Sequence, residues 1–337
     1  MKVPHIHGAD DVRLDDVPTP HAGPRDVVLR VAAVGICGSD LAAAARGSII
    51  PMQSGPAPLG HELSGVVAEV GSEVRDYRAG DRVVVNPLIN MIGNGGPDGG
   101  FASHLLISDV VGRPASLQRI PDGLSLEHAA LVEPLAVALH AINRVDAKAG
   151  ETAAVFGVGP IGLACVLCMV QRGVKNIVVF DVSPLRRERA LQLGASVAVD
   201  PRECQPAKVL AMNHGTAPMW GMQFPSTDVF IEASGAPGVV EGIIGFCGSG
   251  KRLGIVGAQK NPVAVDFTLV MAKELTIAGS LGYPEEFPAA IEMLMDKAVD
   301  VSPYVSHRFA ADDFLKAFET AARPDQSAKV LVTYANA

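Results

Sequence analysis

The sequence predicts an α/β protein: a β-rich first third, followed by a doubly wound parallel sheet of six strands. Two observations carry this. Early in the chain, short branched apolar runs are each cut off by Gly or Pro, as strands joined by tight turns require. From about Thr152 the rhythm changes, and strand-length apolar runs alternate with helix-length segments. At 337 residues the chain exceeds one ordinary core, so two domains are expected.

In order, Val27–Val31 (within a longer strand reaching Val34), Val66–Val70 and Arg82–Val85 read as strands. Asn86–Gly100 is polar and Gly-rich and reads as a loop. Ala153–Phe156 is a strand that runs into Gly157-Val158-Gly159-Pro160-Ile161-Gly162 and a helix to about Arg172. Ile177–Phe180 is the next strand and ends at Asp181. Pro184 starts a helix with Arg186, Arg187, Glu188 and Arg189 on its wet side, and Gly194 stops it. Ser196–Val199, Val229–Ile231, Leu253–Val256 and Leu275–Ala278 supply four more strands. Two amphipathic helices, about Glu285–Met295 and Ala311–Ala321, precede a last strand, Val330–Tyr334. That strand needs a partner sheet, and the β-rich first third is the simplest one. The first domain is therefore expected to be discontinuous, 1–140 with 283–337, around a second domain at 141–282. His214–Thr227, with Met219, Trp220, Met222 and Phe224, fits neither pattern. It is expected to fold back on its own domain, or else to touch another subunit or cover a ligand cleft.

Composition narrows the function classes. Hydrophobic residues make up 48% and charged residues 19%, which excludes a disordered chain. A net charge of −8 without a basic block builds no nucleic-acid footprint. The longest apolar stretch, Pro160–Val170, is too short to span a bilayer, and the first residues, with His5, His7 and Asp10, show no signal core. A cytoplasmic protein is expected, with neither nucleic acid nor membrane as partner. Five cysteines in a long chain do not suggest a disulfide framework, and Cys165 and Cys168 read as small core residues of an apolar helix.

Two constellations carry chemistry. The glycine fingerprint follows a strand and opens a helix, the context in which it binds a dinucleotide. Gly157 permits the tight turn, Gly159 lets backbone approach the pyrophosphate, and Gly162 lets helix and strand pack. The helix N-terminus adds free N–H groups and partial positive charge. Asp181, at the end of the next strand, suits ribose hydroxyls and would repel a 2′-phosphate, so NAD is expected over NADP. Arg186, nearby, either stacks on adenine or faces solvent. The second constellation is Cys37, His61, Glu62 and Glu133, a set of thiolate, imidazole and carboxylates such as zinc binds. Glu133 precedes an apolar helix, where a carboxylate also suits the helix N-terminus. Metal and dinucleotide together point to hydride transfer at a carbon bearing oxygen.

These motifs, together with Gly35–Asp40, Gly80–Val83, Asp98–Ala102 and Glu133–Val137, resemble those of the zinc-dependent medium-chain dehydrogenase/reductase (alcohol dehydrogenase) superfamily. The resemblance spans essentially the full chain and is nearest to the sorbitol, butanediol, threonine and idonate dehydrogenase branch. It implies a GroES-like catalytic domain, a Rossmann coenzyme domain, and one catalytic zinc held by Cys37, His61 and either Glu62 or Glu133. Ser39 resembles the hydroxyl that takes the substrate proton; otherwise it stabilises its turn. Coenzyme contacts are expected from Gly157, Gly159, Pro160, Ile161, Gly162, Asp181 and Arg186, and from Ser234, Val256, Gly257 and Leu281. A small-molecule alcohol or ketone would be the substrate, and a homo-oligomer, dimer or tetramer, is expected through about Leu253–Gly282.

Three departures refine the expectation. No cysteine lies between Cys37 and Cys165, so the lobe that holds a structural zinc in many relatives is absent. Ala42 stands where many relatives carry a relay histidine, so the proton must leave through Ser39, ribose hydroxyls and water, or by another route. Ala43 and Gly282 replace a tyrosine and an arginine that sorbitol-type enzymes use to hold a polyol. NAD-dependent oxidation of a secondary alcohol or vicinal diol is therefore expected. The rivals are a polyol or sugar-acid dehydrogenase and a dinucleotide-binding protein without turnover.

Overall fold

The computed structural model describes residues 1–50, 55–283 and 285–335. Strand Val27–Ile36 is the spine of the β-rich part, and only Arg30 along it is not buried. It pairs antiparallel with Glu62–Val70, with His104–Ile107 and with the last strand, Lys329–Thr333. Strands from the first third and from the last part of the chain thus share one seven-stranded sheet, in the order Val305–Ala310, Lys329–Thr333, Val27–Ile36, Glu62–Val70, Arg82–Val85, Leu117–Arg119, with His104–Ile107 off that path. Its packed face gathers Leu29, Val31, Leu63, Phe101 and Phe314.

The later part forms a six-stranded sheet, parallel throughout, in the order Val197–Val199, Lys175–Phe180, Thr152–Phe156, Val229–Glu232, Arg252–Ile255, Thr276–Gly279. The order reverses beside Thr152–Phe156, so a crevice opens above that strand's carboxyl end, where open α/β sheets bind ligands. Helix Val132–Arg144 packs on helices Pro160–Arg172 and Phe287–Met295. One buried core therefore runs from Val84 and Leu331 of the mixed sheet to Val155 and Val179 of the parallel sheet. Cys165 and Cys168 lie within it as apolar filler.

Three local features differ from the expectation, and one, at 214–227, fills a gap in it. Lys2–Gly8 and Asp11–Asp16 pair as a hairpin, although alternating charge and histidine hides their strand character. A short helix, Pro87–Asn90, capped by the Asn86 side chain, interrupts the loop at 86–100. Thr216–Met219 and Met222–Pro225 form a β-hairpin; Trp220 (φ 52°) and Gly221 (φ 75°) make the two-residue turn with both φ values positive that matches strand twist. The hairpin belongs to the unit around the parallel sheet, with Phe224 beneath the Lys273 ammonium at 4.9 Å. Finally, the helix Pro184–Gln192 does not hold its arginines on a wet face. Arg186 donates to the Ser327 carbonyl at 2.9 Å, Arg189 to the Pro303 carbonyl at 2.6 Å, and Arg187 to the Asp181 carbonyl at 2.7 Å. Arg186 and Arg189 thus tie this helix to the segments that lead into the strands Lys329–Thr333 and Val305–Ala310, across backbone carbonyls. Among the described residues, no helix is long and apolar enough to cross a membrane.

Candidate active site

Cys37 sits where strand Val27–Ile36 ends and helix Gly38–Arg46 begins, as the residue that caps the helix (φ −94°, ψ 154°). His61 follows Gly60, whose φ of 93° and contact with the Phe101 ring, 2.6 Å from where a Cβ would stand, admit only glycine. Glu62 opens the strand Glu62–Val70 opposite Gly35, and its carboxylate fills the space that a side chain at 35 would need. These turns bring Cys37, His61 and Glu62 together, with one ligand atom of each within 4.8 Å of the others. Glu133 is not one of that group. It lies inside the first turn of helix Val132–Arg144 rather than ahead of it, and it is buried.

Asp40 splints the two ligand-bearing turns. Its carboxylate accepts the Cys37 N–H at 2.9 Å and the Gly60 N–H at 3.2 Å, and lies 3.6 Å from His61 Nδ1. Burial alone would depress the His61 imidazole, but Asp40 and then Cys37 beside it carry it well above its ordinary value. His61 Nε2 faces the Ser39 hydroxyl at 3.4 Å. Beneath the cluster, the Lys329 ammonium donates to both Glu62 oxygens, at 2.6 and 2.5 Å, and to the Ile36 carbonyl at 3.2 Å. Neither side chain of this pair reaches solvent. Burial would lower the Lys329 pKa; Glu62, then Cys37, reverse that and raise it.

Burial raises the Glu133 carboxyl to about 7, against the pull of His61. The Tyr283 hydroxyl lies beside Glu133, and Tyr304 lies deeper near Glu62 and Cys37; burial raises both phenols. Neither hydroxyl, nor His61 Nδ1, has a partner in full hydrogen-bond geometry among the described residues. Cys37, Asp40, Glu62 and Glu133 bring four acidic groups to this site, against the Lys329 ammonium and the His61 imidazole. A divalent cation among sulfur, nitrogen and oxygen donors balances that excess, so the residues present fit zinc.

The cluster opens onto a cavity of about 530 Å³ lined by Ser39, Ala43, Leu88, Met91, Val137, Ile161, Val256 and Leu281, among others. A second cavity, of about 300 Å³, is lined by Gly157, Gly159, Asp181, Arg186 and Ser234. Gly157 has φ 84°, and a Cβ there would stand 2.6 Å from Ser234. A Cβ on Gly162 would run into the Gly157 carbonyl. Helix Pro160–Arg172 starts at Gly159 without a side-chain cap, which leaves its first N–H groups for a ligand. Asp181 accepts the Val158 N–H and the Ser183 N–H, each at 2.7 Å, and so fixes the turn as well as facing the cavity. A cofactor's phosphates and ribose fit this frame. Gly257 is held 2.5 Å from Gly235 N, measured from where a Cβ would stand. Leu281 is 95% exposed at the mouth of the larger cavity.

Two family models match the chain: the alcohol dehydrogenase GroES-like domain over residues 23–113 and the zinc-binding dehydrogenase over residues 160–296. (R,R)-butanediol dehydrogenase of Bacillus subtilis (strain 168) is 31% identical, over 98% of this chain and 99% of its own. Sorbitol dehydrogenase of Homo sapiens is 32% identical, over 94% and 91%. The chain belongs to the zinc-dependent medium-chain alcohol dehydrogenases. This dehydrogenase superposes on the crystal structure of the 2R,3R-butanediol dehydrogenase from Bacillus subtilis with a TM-score of 0.87, at 31% identity, covering 98% and 99% of the two chains. It is therefore an oxidoreductase acting on CH–OH groups, with zinc and a nicotinamide dinucleotide as cofactors.

Sequence reasoning passed over four residues of the dehydrogenase's site. Asp40 carried a signal, an acid three residues after Cys37, the spacing of a helix-capping residue. Glu232, fully buried at the end of strand Val229–Glu232, accepts the N–H groups of Ser234 (2.8 Å) and Gly235 (2.9 Å) and shapes the turn beside the coenzyme cavity. Its signal was an acid ending an apolar strand before Ser-Gly. Lys329 and Tyr304 carried none, because each meets the site only through tertiary folding.

Proposed function

We propose that this dehydrogenase oxidises a secondary alcohol or vicinal diol to the ketone with NAD, using a single zinc held by Cys37, His61 and Glu62. Residues 1–140 and 283–337 form the catalytic domain in this reading, and 141–282 the coenzyme domain. The observation that carries the substrate class is the wall around Gly282. Leu88 Cδ1 lies 3.2 Å from where a Cβ on Gly282 would project, and buried Ala43 stands on the helix facing the same cavity. At 43 and 282 the wall is thus smooth carbon. A wall without polar partners at those positions favours substrates with more carbon surface there, whereas a polar wall rejects those lacking its partners.

Zinc supplies Lewis acidity toward the substrate oxygen, and the nicotinamide supplies the hydride acceptor. The chain's own groups do the rest. Asp40 holds the His61 ring in place, and Ser39, exposed to the cavity, takes the hydroxyl proton. With alanine at 42, the chain places no histidine there to carry that proton onward. Glu133, its carboxyl raised to about 7 by burial, shares the floor of the site with Tyr283. Asp181, already fixed by two backbone N–H groups, favours NAD over its 2′-phosphorylated form.

Self-association completes the reading. Thr276–Gly279 is an edge strand, and Phe267, Met271 and Leu281 beside it are 74%, 71% and 95% exposed. An open edge flanked by apolar side chains supports a homo-oligomer formed through this face.

Absorbance at 340 nm, followed with NAD and a panel of secondary alcohols with and without a chelator, tests the reading. Butane-2,3-diol or a cyclic alcohol is expected to exceed sorbitol in kcat/KM, and the chelator to abolish turnover. Parity of sorbitol refutes the substrate class; a tenfold preference for NADP refutes the role of Asp181.

A further inference from the structure

Helix Gly38–Arg46 leaves the metal cluster with Ser39 in its first turn and ends at Arg46. Ser39, Ala43 and Arg46 are spaced i, i+4, i+7, so all three lie on one face, and all three line the 530 Å³ cavity. Seven residues of helix put the Arg46 backbone about 10 Å beyond that of Ser39. The Arg46 side chain joins the cavity wall, and one of its guanidinium nitrogens lies 3.5 Å from the carbonyl of Ile49, which lines the same cavity. Ala43, between them, has no bulk to block the path.

Arg46 has little to do in the fold. It is exposed, and its one hydrogen bond among the described residues is to the Ile49 carbonyl at 3.5 Å. No carboxylate pairs with it among the described residues. Nor does the helix end need its charge, since the Gly47 N–H caps the Ala43 and Ala44 carbonyls at 2.9 and 3.2 Å. Arg46 is the only lysine or arginine lining the cavity among the described residues, and Ile49, Ile50, Leu88 and Met91 around it are apolar. A guanidinium thus stands among apolar side chains on one wall of the cavity, while Asp40 and Glu133 line it beside the metal cluster.

Resting on the dehydrogenase reading above, we infer that Arg46 selects secondary alcohols bearing an oxyanion, a carboxylate or phosphate, several bonds from the carbinol carbon. Planar guanidinium binds such groups with two parallel N–H donors, and the apolar wall accepts the spacer between.

The zinc-loaded enzyme with NAD is given (ω−1)-hydroxy acids from 3-hydroxybutanoate to 6-hydroxyheptanoate, 4-hydroxypentyl phosphate, and neutral heptan-2-ol. At low ionic strength one hydroxy acid or the phosphate is expected to exceed heptan-2-ol at least tenfold in kcat/KM, and the margin to shrink as salt is added. In R46Q that ratio falls at least tenfold through KM, and R46K recovers part of it. Calorimetric titration of 5-oxohexanoate onto the enzyme–NAD complex reads the same subsite without turnover, and R46Q weakens binding at least tenfold. Unchanged zinc content and Tm show that R46Q is folded. Equal kcat/KM for charged and neutral alcohols, or a ratio and affinity untouched by R46Q, overturns the inference. If no alcohol reduces NAD, the dehydrogenase reading falls, and calorimetry alone decides Arg46. A response to only one oxyanion identifies which group the subsite takes.

Discussion

Glu62 and Lys329 meet without water, and their partnership sets what each can do. Lys329 holds both carboxylate oxygens while one of them also faces Cys37 and His61. Removing the cation leaves a buried, uncompensated carboxylate, at a cost of about 3–5 kcal/mol. Lys329→Met is therefore expected to lower the stability of the metal-free protein by about that amount in a denaturant titration. Zinc should restore part of the loss, since a cation bound only by the folded state stabilises it by mass action. Equal stability of variant and parent without metal would show that the pair is not what compensates Glu62. Residues of this kind mark the limit of what the chain reveals before folding. Cys37, His61 and Glu62 sit in short motifs whose turns already say that a side chain must be presented. Lys329 lies 267 residues from its partner, at the start of an apolar strand that looks like any other core strand.

Elements were legible to the extent that local chemistry decides them. The parallel sheet was, because its strands are uniform apolar runs with helices between, and tertiary packing shifted their ends by only a residue or two. The hairpin Lys2–Gly8/Asp11–Asp16 was not, because only Val3, Pro4 and Ile6 of it are buried and histidine or charge interrupts the rest. The wet face assigned to helix Pro184–Gln192 failed for a related reason: arginine is polar, yet it bridges buried carbonyls well. The turn before helix Pro160–Arg172 offers the sharpest test at this scale. Gly162 has no room for a Cβ because the Gly157 carbonyl occupies it, so Gly162→Ala must push the helix start away from the strand. NADH binding, followed by its fluorescence, is expected to weaken at least tenfold, while zinc content stays near that of the parent. Unchanged NADH affinity would mean that the helix end does not position the phosphates.

At the scale of the molecule, the two halves share one core, and the metal cluster lies against the loop at 86–100. That loop is where the resemblance led to an expected loss, the missing cysteine lobe and its second zinc. Glycine packing holds the segment instead. A Cβ on Gly93 (φ 60°) would stand 2.9 Å from Gly60 N, and one on Gly99 would stand 2.8 Å from Leu59 N. The loop thus closes directly on the turn that presents His61, through backbone contacts that need no metal. Among the described residues, Cys37, His61 and Glu62 form the one group with converging ligand atoms. Elemental analysis of the purified protein should therefore give about one zinc per chain, all removed by a chelator together with activity. Because the brace is steric, Gly93→Ala should displace Gly60 and His61 and lower zinc retention during dialysis, with the fold intact by circular dichroism. A metal content near two per chain would mean that a second site exists outside this cluster. Full zinc retention in Gly93→Ala would mean that the loop does not hold the ligand turn in place.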